Sequence, residues 1–568
     1  MAPASRPTLQ ATGTRLDRQS GEPPLPAITY ERYPGAASAP LPFTYRRREP
    51  EKSVLHTVVR EHLETFLDQA SRHHGQGYPH FIEREFRRYL DCGDLSRGFA
   101  RLRCPGCGHE RIVPFSCKGR LCPSCVGRRM ADIAAYLVDQ LLPEAGYRHW
   151  VLTFPWTLRF RLAVDRKLFS ALISAYLRTL FAWQRRRGRA LGIRDGQTGA
   201  VTFVQRYGGA LNLHLHSHSL LPDGLFVPDS ADRLTFVPLP EPTTAEIEEL
   251  TLKIAHRLTA VVQRLCGDEF ETQELLAQTV AALQEALAAA VKPPLSPQQL
   301  GLPGQGFQDP GKSQCARVAG FSLHGAQHVV AGDREGLERL CRYGLRAPFA
   351  QERLSLRADG RVVYQLRRPW PHPQGVTCLV LEPLDFMRRL AALIPAPYSH
   401  MVRYHGVFAN RSRWRSCLPA PPAHPCAEAL PAGSDSAAGE GEDTGETPES
   451  TSQTPRRRTP LRWAQLLRRA FHLDVLKCPK CSKAMVVLAL ISDPPVVTKI
   501  LRHLKLPTAP PPLAAPREMW ESESYQLIPP MDEHGIDERD LAGIDDDTRT
   551  PPLRIPRSHP DGARSPPP

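Results

Sequence analysis

GAVTFVQRYGGALNLHLHSHSLLPDG, residues 199–224, decides the fold class of this chain. Two runs rich in apolar residues flank Gly208-Gly209, and the second is closed by Pro222-Asp223-Gly224. That is the pattern of two antiparallel strands joined by a turn. In the second strand His214, His216 and His218 alternate with Leu215 and Ser217. Side chains alternate across a strand, so the three imidazoles share one face. A lone histidine is more often a packing residue than a ligand, but three in alternation favour a metal. Imidazoles at i and i+2 on a rigid strand can hold one divalent ion and leave positions open for substrate oxygens.

Working outward, RHWVLTFP (148–155) reads as a strand and RKLFSALISAYLRTLFAWQRRR (166–187) as an amphipathic helix with a basic end. ARVAGFSLH (316–324) reads as a strand, and DREGLERLCRYG (333–344) as a helix stopped by glycine. LSLRADGRVVYQLRR is a hairpin turning at Asp359-Gly360. TCLVLEP and MVRYHGVFA add strands on either side of a helix, LDFMRRLAALI. Residues 229–300 read as a helical insertion, with periodic stretches at 243–266 and 271–291. SVLHTVVREHLETFLDQA and FIEREFRRYLDCG give two helices near the start. Hairpins and helices are thus mixed along the chain.

The 568 residues allow two or three domains, and the 41% hydrophobic content provides for a sizeable core. The formal net charge of +14 favours a polyanionic partner, of which nucleic acid is the usual one. No run of 18 apolar residues and no apolar leader at the N-terminus are seen, so a soluble, cytoplasmic protein is expected. Prolines, 57 in all, concentrate at the ends and in one internal stretch. We expect disordered tails over 1–50 and 508–568, a disordered linker over 419–458, and a small module over 459–507.

Fourteen cysteines in a long chain without a leader suggest reduced, metal-binding thiols rather than disulfides. Cys104 and Cys107 form one CxxC, Cys122 and Cys125 another, with 14 residues between the pairs. That spacing can close a tetrahedral zinc site inside a helical, cysteine-rich domain over 51–135. Cys92, His109 and Cys117 lie near enough to exchange in or to serve a second ion. Cys478 and Cys481 form an isolated third CxxC, readable as half of a zinc site. Residues 81–130 carry 11 Lys plus Arg against 5 Asp plus Glu, a balance that suits a zinc module lying on phosphates.

The histidine strand fits two chemistries. One is a metallohydrolase of the HxHxDH type, although the Asp-His is missing here. The other is a single-strand DNA nuclease in which a metal polarises the scissile phosphate for a tyrosine. The second needs a tyrosine on a nearby element. Tyr343 sits on a helix among Arg339, Arg342 and Arg346, although on its own it reads as a helix-end packing residue.

The motifs FSCKGRLCPSC, QRYGGALNLHLHSHSLLPDGLF, GFSLH and LERLCRYGL, followed by GRVVYQLRRPW, resemble in their order the rolling-circle transposases of the insertion-sequence-91 type. The resemblance spans roughly residues 55–507. It implies an α+β fold, with an antiparallel-sheet HUH tyrosine-nuclease domain over 145–418 and an N-terminal zinc-ribbon-like module. It implies that His216 and His218 hold a catalytic Mg²⁺ or Mn²⁺, that Tyr343 is the nucleophile, and that Cys104, Cys107, Cys122 and Cys125 hold structural Zn²⁺. The hydrophobic residue of the family pattern is Ser217 here, and a register of His214-Leu215-His216 would restore it. Members with two tyrosines carry them four residues apart, and Arg339 stands at that position. The third ligand stays open among His324, His214 and Gln205. Arg342 and Arg346, with the helix end Arg185, Arg186 and Arg187, are expected to grip DNA at single-stranded element ends. Trp183 and Tyr207 are offered either as base-stacking or, more readily, as core residues. A replication initiator or relaxase of the same chemistry, and a non-enzymatic zinc-dependent DNA-binding protein, are the competing readings.

Overall fold

The computed structural model describes residues 43–44, 49–266, 315–367, 377–422, 463–471 and 473–517. Most of the expected tails and linker, and the periodic stretch 271–291, lie outside the described residues.

After a two-residue strand β1 (Phe43–Thr44) come helices α1 (Val54–His74) and α2 (His80–Leu90). Ser53 caps α1 by accepting the amide of His56, and Gly75 ends the helix in the left-handed region at φ 67°. A hairpin follows, β2 (Phe99–Arg103) and β3 (Glu110–Pro114), and then α3 (Pro123–Tyr136), which runs on into a π-helical turn, Leu137–Leu141.

The core elements come next. They are β4 (Tyr147–Thr153), α4 (Trp156–Val164), α5 (Arg166–Ala190), β5 (Gly199–Tyr207), β6 (Leu213–Pro222), β7 (Gly224–Pro228) and β8 (Leu234–Pro238). They continue with α6 (Thr244–Cys266), β9 (Cys315–Val318), β10 (Phe321–Val329) and α7 (Arg334–Gly344). A small three-stranded sheet of β11 (Leu354–Leu356), β12 (Val362–Gln365) and β13 (Cys378–Leu381) precedes α8 (Pro383–Leu393) and β14 (Val402–Gly406). The described chain closes with α9 (Trp463–Phe471), β15 (Leu473–Asp474), β16 (Val486–Ile491) and α10 (Pro494–His503).

The central sheet runs β14-β5-β6-β4-β10-β9 with every neighbouring pair antiparallel. The α+β class and the antiparallel core expected from the sequence are both present. The histidine strand β6 lies inside this sheet, and all residues of β5 and β6 are buried. One face packs Trp150, Leu152, Leu215 and Leu221 into the cluster that includes Leu172, Ile173 and Tyr176 of α5. The other packs Val201, Phe203 and Leu220 against Leu337, Leu340 and Cys341 of α7.

Three expectations change. ARVAGFSLH is a hairpin rather than a single strand, because Ala319 and Gly320 both turn through positive φ, 51° and 77°. The insertion at 229–300 opens with a strand, β8, paired to β7. The C-terminal segment is not a separate module: β16 joins β2 and β3 in one antiparallel sheet, and β15 pairs with β1.

A buried ion network binds these parts together. Arg469 of α9 bonds to Asp139 in the π-helical turn and to Glu338 of α7, and Glu338 also takes Arg342. The side chains of Arg469 and Glu338 are each 9% exposed. Burial works to raise the Glu338 carboxyl, but the Arg469 hydrogen bond and the charges of Arg342 and Arg469 outweigh it and hold the group below its ordinary range. Arg469→Ala leaves two buried carboxylates short of a partner and should cost roughly 3–5 kcal/mol. Arg233→Ala, at a surface pair with Asp229, should cost less than about 1 kcal/mol. Chemical unfolding of the two variants side by side checks the difference.

Candidate active site and metal centres

Strand alternation does what the sequence implied. The ring centroids of His214 and His216 lie 4.8 Å apart, as do those of His216 and His218. The three are 0%, 2% and 1% exposed, so the strip faces the protein interior and not solvent. Ser217 and Ser219 point to the opposite face, where Ser219 Oγ lies 3.0 Å from Thr202 Oγ1. Ser217 is thus an internal residue of the α5 side, and its hydroxyl finds no hydrogen-bond partner.

Helix α7 brings Tyr343 to this strip. Its ring stands edge-on to His218 with centroids 5.4 Å apart, and edge-on to His149 at 6.3 Å. The tyrosine therefore meets the His218 end of the strip. Asp333 caps α7 by accepting the Gly336 amide at 2.7 Å. At the other end Gln205 Nε2 donates to the carbonyls of Tyr343 and Gly344, at 2.9 and 3.1 Å. A Cβ at Gly344 would lie 2.4 Å from Phe203 Cδ2, so only glycine lets the helix end settle on β5.

His149 was missed by sequence reasoning. It is a single histidine in RHWVLTFP, and only the pairing of β4 beside β6 brings it to the histidine strip. Its Nδ1 lies 2.9 Å from Gln327 Oε1, and its Nε2 lies 2.9 Å from His218 Nδ1. Burial lowers the pKa of every imidazole here: His149 to about 4, His216 to about 3, His214 and His218 well below the ordinary value. All are neutral at pH 7, and each then has one N–H. Since the Gln327 oxygen accepts, His149 carries its proton on Nδ1 and accepts at Nε2 from His218 Nδ1. His218 is left with a bare Nε2, buried and without a hydrogen-bond partner. His216 donates from Nδ1 to the His214 carbonyl at 2.9 Å, which also leaves its Nε2 as a lone pair.

These donors fit a divalent ion. Neutral imidazole is the form that ligates, and a hydrogen bond at the other nitrogen fixes the tautomer. Gln205 stands directly across from His216, and its Oε1 is buried without a partner. His324 pairs with Val151 on the far side of β4 from His218, one strand further out.

The expected DNA-gripping arginines divide. Arg346 lies over the Tyr343 ring at 4.7 Å and over Tyr207 at 5.6 Å, beside the ring that meets His218. Arg342 is turned away into its pair with Glu338. Arg185, Arg186 and Arg187 end a helix that packs on the opposite face of the sheet from the histidines. There Arg187 is committed to Glu246 and stacks on Trp183. Trp183 itself packs edge-on to Trp150, and the Tyr207 hydroxyl donates to the Arg346 carbonyl, so both are core residues.

The cysteines also regroup. Cys104 and Cys107 do not share a site with Cys122 and Cys125. Cys122 and Cys125 gather with Cys92 and Cys117, while Cys104 and Cys107 gather with Cys478 and Cys481. In each group all four sulfurs lie within 4.8 Å of one another. The reason is local geometry: Cys104 and Cys107 sit on the turn between β2 and β3, and Cys122 and Cys125 on the first turn of α3. Helix α2 ends beside the latter and delivers Cys92, which lies 3.5 Å from Cys122 and 3.6 Å from Cys125. A zinc ion with bonds near 2.3 Å places its sulfurs about 3.8 Å apart. Thiolates on the first turn of α3 also gain from the positive end of the helix dipole.

The fit of α7 to β5 yields a direct expectation. Gly344→Ala should force the helix end off Phe203 and destabilise the protein by about 1–3 kcal/mol. A fall in the thermal unfolding midpoint relative to the unsubstituted chain checks it, and an unchanged midpoint would show that the contact relaxes freely.

Comparisons with known proteins find related families and sequences. Residues 58–154 match the family described as "Transposase zinc-binding domain", and residues 199–415 match the family described as "Putative transposase". The chain is 32% identical over 133 residues to the "Transposase for insertion sequence element IS801" of Pseudomonas savastanoi pv. phaseolicola. That alignment covers 23% of this chain and 30% of that protein. It is 25% identical over 317 residues to "Putative transposase y4qJ" of Sinorhizobium fredii (strain NBRC 101917 / NGR234), covering 55% of this chain and 70% of that protein. No solved structure matches. The zinc-binding domain holds the first cysteine group, and the second matched family begins at β5 and contains the histidine strand and the Tyr343 helix. With both domains present in that order, the chain belongs to the insertion-sequence-91-type transposases.

Proposed function

We propose that this transposase nicks and rejoins single-stranded DNA at the ends of its element, with Tyr343 as the nucleophile. The observation that carries the reading is the meeting of Tyr343 with His218 on a strip of neutral, buried imidazoles. His216 and His218, through Nε2, would hold Mg²⁺ or Mn²⁺, with Gln205 Oε1 beside them. When bound, the ion draws charge from a scissile phosphate oxygen. His149 positions His218 by fixing its tautomer. Arg346, over the Tyr343 ring, would offer donors to a phosphate.

In the reaction Tyr343 Oη attacks phosphorus, the bond to the 3′ oxygen breaks, and the phenol proton goes to solvent as the 3′-OH is released protonated. The strand is left joined as a 5′-phosphotyrosine. Rejoining is the reverse, by attack of a 3′-OH, and needs no hydrolytic water. Arg339 stands where a second tyrosine would, and it lies 3.9 Å from Glu335 and 4.0 Å from Asp333, so one tyrosine serves both steps. The net charge of +14 suits the DNA partner. Cys92, Cys117, Cys122 and Cys125 would hold the structural zinc of the matched domain. Among the described residues no helix is long and apolar enough to cross a membrane. We place the protein in the cytoplasm, on the nucleoid when acting. Replication initiators and relaxases run the same chemistry, and the matched zinc-binding domain favours the transposase.

Tyr343→Phe should abolish the covalent adduct with a labelled single-stranded terminal oligonucleotide in Mn²⁺ while leaving binding intact. An adduct that persists moves the nucleophile to Tyr364, Tyr398 or Tyr404. His149→Ala should slow adduct formation about 10–100-fold, the usual effect of removing a group that orients a ligand. An unchanged rate would remove His149 from the mechanism.

A further inference from the structure

The second cysteine group is assembled from the two ends of the described chain. Cys104 Sγ lies 3.4 Å from Cys481 Sγ across 377 positions, and Cys107 Sγ lies 3.6 Å from Cys478 Sγ across 371. Neither matched family reaches Cys478 and Cys481. The two contributing turns, CPGCGH (104–109) and CPKCSK (478–483), are built alike. The Cys104 amide donates to the His109 carbonyl at 2.8 Å, and the Gly108 amide donates to the Cys104 carbonyl at 2.9 Å. Likewise the Cys478 amide donates to the Lys483 carbonyl at 2.9 Å, and the Ser482 amide to the Cys478 carbonyl at 2.9 Å. The residue after the second cysteine is left-handed in both, Gly108 at φ 72° and Ser482 at φ 59°. Ser482 accepts a conformation that non-glycine residues seldom adopt.

We infer that Cys104, Cys107, Cys478 and Cys481 bind a second zinc ion, which clasps the C-terminal segment to the N-terminal zinc-binding domain. Four thiolates from two matching turns form a closed structural set with no position left for substrate. The protein around the site has the build of a zinc ribbon completed in trans along the chain. Strand β16 pairs with β2 beginning at Val486↔Arg103, immediately beyond the two turns. Leu102, Val113 and Met485 pack with Cys104 and Cys478 as a small core, and Leu95 and Phe99 pack with Val497 and Leu501 of α10 as another. So few apolar side chains do not hold a long-range contact unaided, and metal binding to a small module contributes directly to its folding. The clasp also secures α9, and with it Arg469, against Glu338 of the helix that carries Tyr343. It is the more accessible of the two groups, since Cys107 is exposed, whereas in the first group three of four cysteines are buried.

The experiment is metal analysis of the full-length protein with limited proteolysis. The unsubstituted chain should carry about two zinc ions, and Cys478→Ser with Cys481→Ser about one. In the double variant the segment 473–506 should be cleaved at least tenfold faster, while the segment 54–136 stays protected. Cys481→His preserves a Cys₃His set and should restore both the second zinc and the protection. One zinc per unsubstituted chain, or two in the double serine variant, overturns the clasp. Two zinc ions without any change in protease sensitivity between variants overturns its role as a fastener. None of these readouts depends on Tyr343 chemistry, so the clasp and the nicking reaction stand or fall separately.

Discussion

The end of helix α7 rests on the ring of Phe203, and it does so because residue 344 has no side chain. The site depends on that contact. Tyr343 is the next residue, so the distance between helix and sheet sets the distance between its ring and His218. Gln205 holds the same helix end from below through the Tyr343 and Gly344 carbonyls. Because Gln205 is also opposite His216 in the sheet, one side chain ties the helix to the strand that presents the imidazoles. Tyr343 and the imidazole strip are therefore positioned by a single packed layer and not by a loop.

The central sheet is buried on both faces, and the two faces do different things. Toward α5, β6 shows Leu215, Ser217, Ser219 and Leu221, which are core and polar contacts under a long helix. Toward α7 it shows His214, His216 and His218. So buried a position would not hold charged imidazolium groups, and burial accordingly drives all four histidines to the neutral form. Neutrality leaves each ring one proton. The order Gln327, His149, His218 then dictates where each proton sits, and it leaves His218 Nε2 as a lone pair.

Much of this was legible in the sequence. Alternation placed the three histidines on one face, and the turn residues at 208–209 and 359–360 marked real hairpins. The capped and glycine-stopped pattern of 333–344 is the helix that delivers Tyr343. What eluded the sequence depends on contacts between distant segments. His149 has no partner within its own strand, and only the strand order gives it one. The two CxxC pairs at 104–107 and 122–125 lie close in sequence, but one rides on a β-turn and the other on a helix start, which aim their sulfurs apart. The arginines at 185–187 have the composition of a DNA-binding helix end, yet helix periodicity does not tell which face of a sheet the helix will cover. Ser217 looked out of place between His216 and His218, but its own side chain belongs to the other face of the sheet.

The same logic explains why so many charges can be buried between domains. Asp139 follows α3 of the zinc-binding domain, Glu338 and Arg342 stand on the Tyr343 helix, and Arg469 comes from the C-terminal segment. Two carboxylates and two guanidiniums meet with no net charge, so the cost of taking each from water is offset by the others. Removing any one strands a partner, whereas a hydrophobic contact of similar area would tolerate gradual loss. A network of this kind is selective as well as stabilising, because it closes only when all three segments are in place. The helix that carries Tyr343 therefore has its outward face fixed by residues from both ends of the chain. Its inward face is fixed by Phe203 and Gln205.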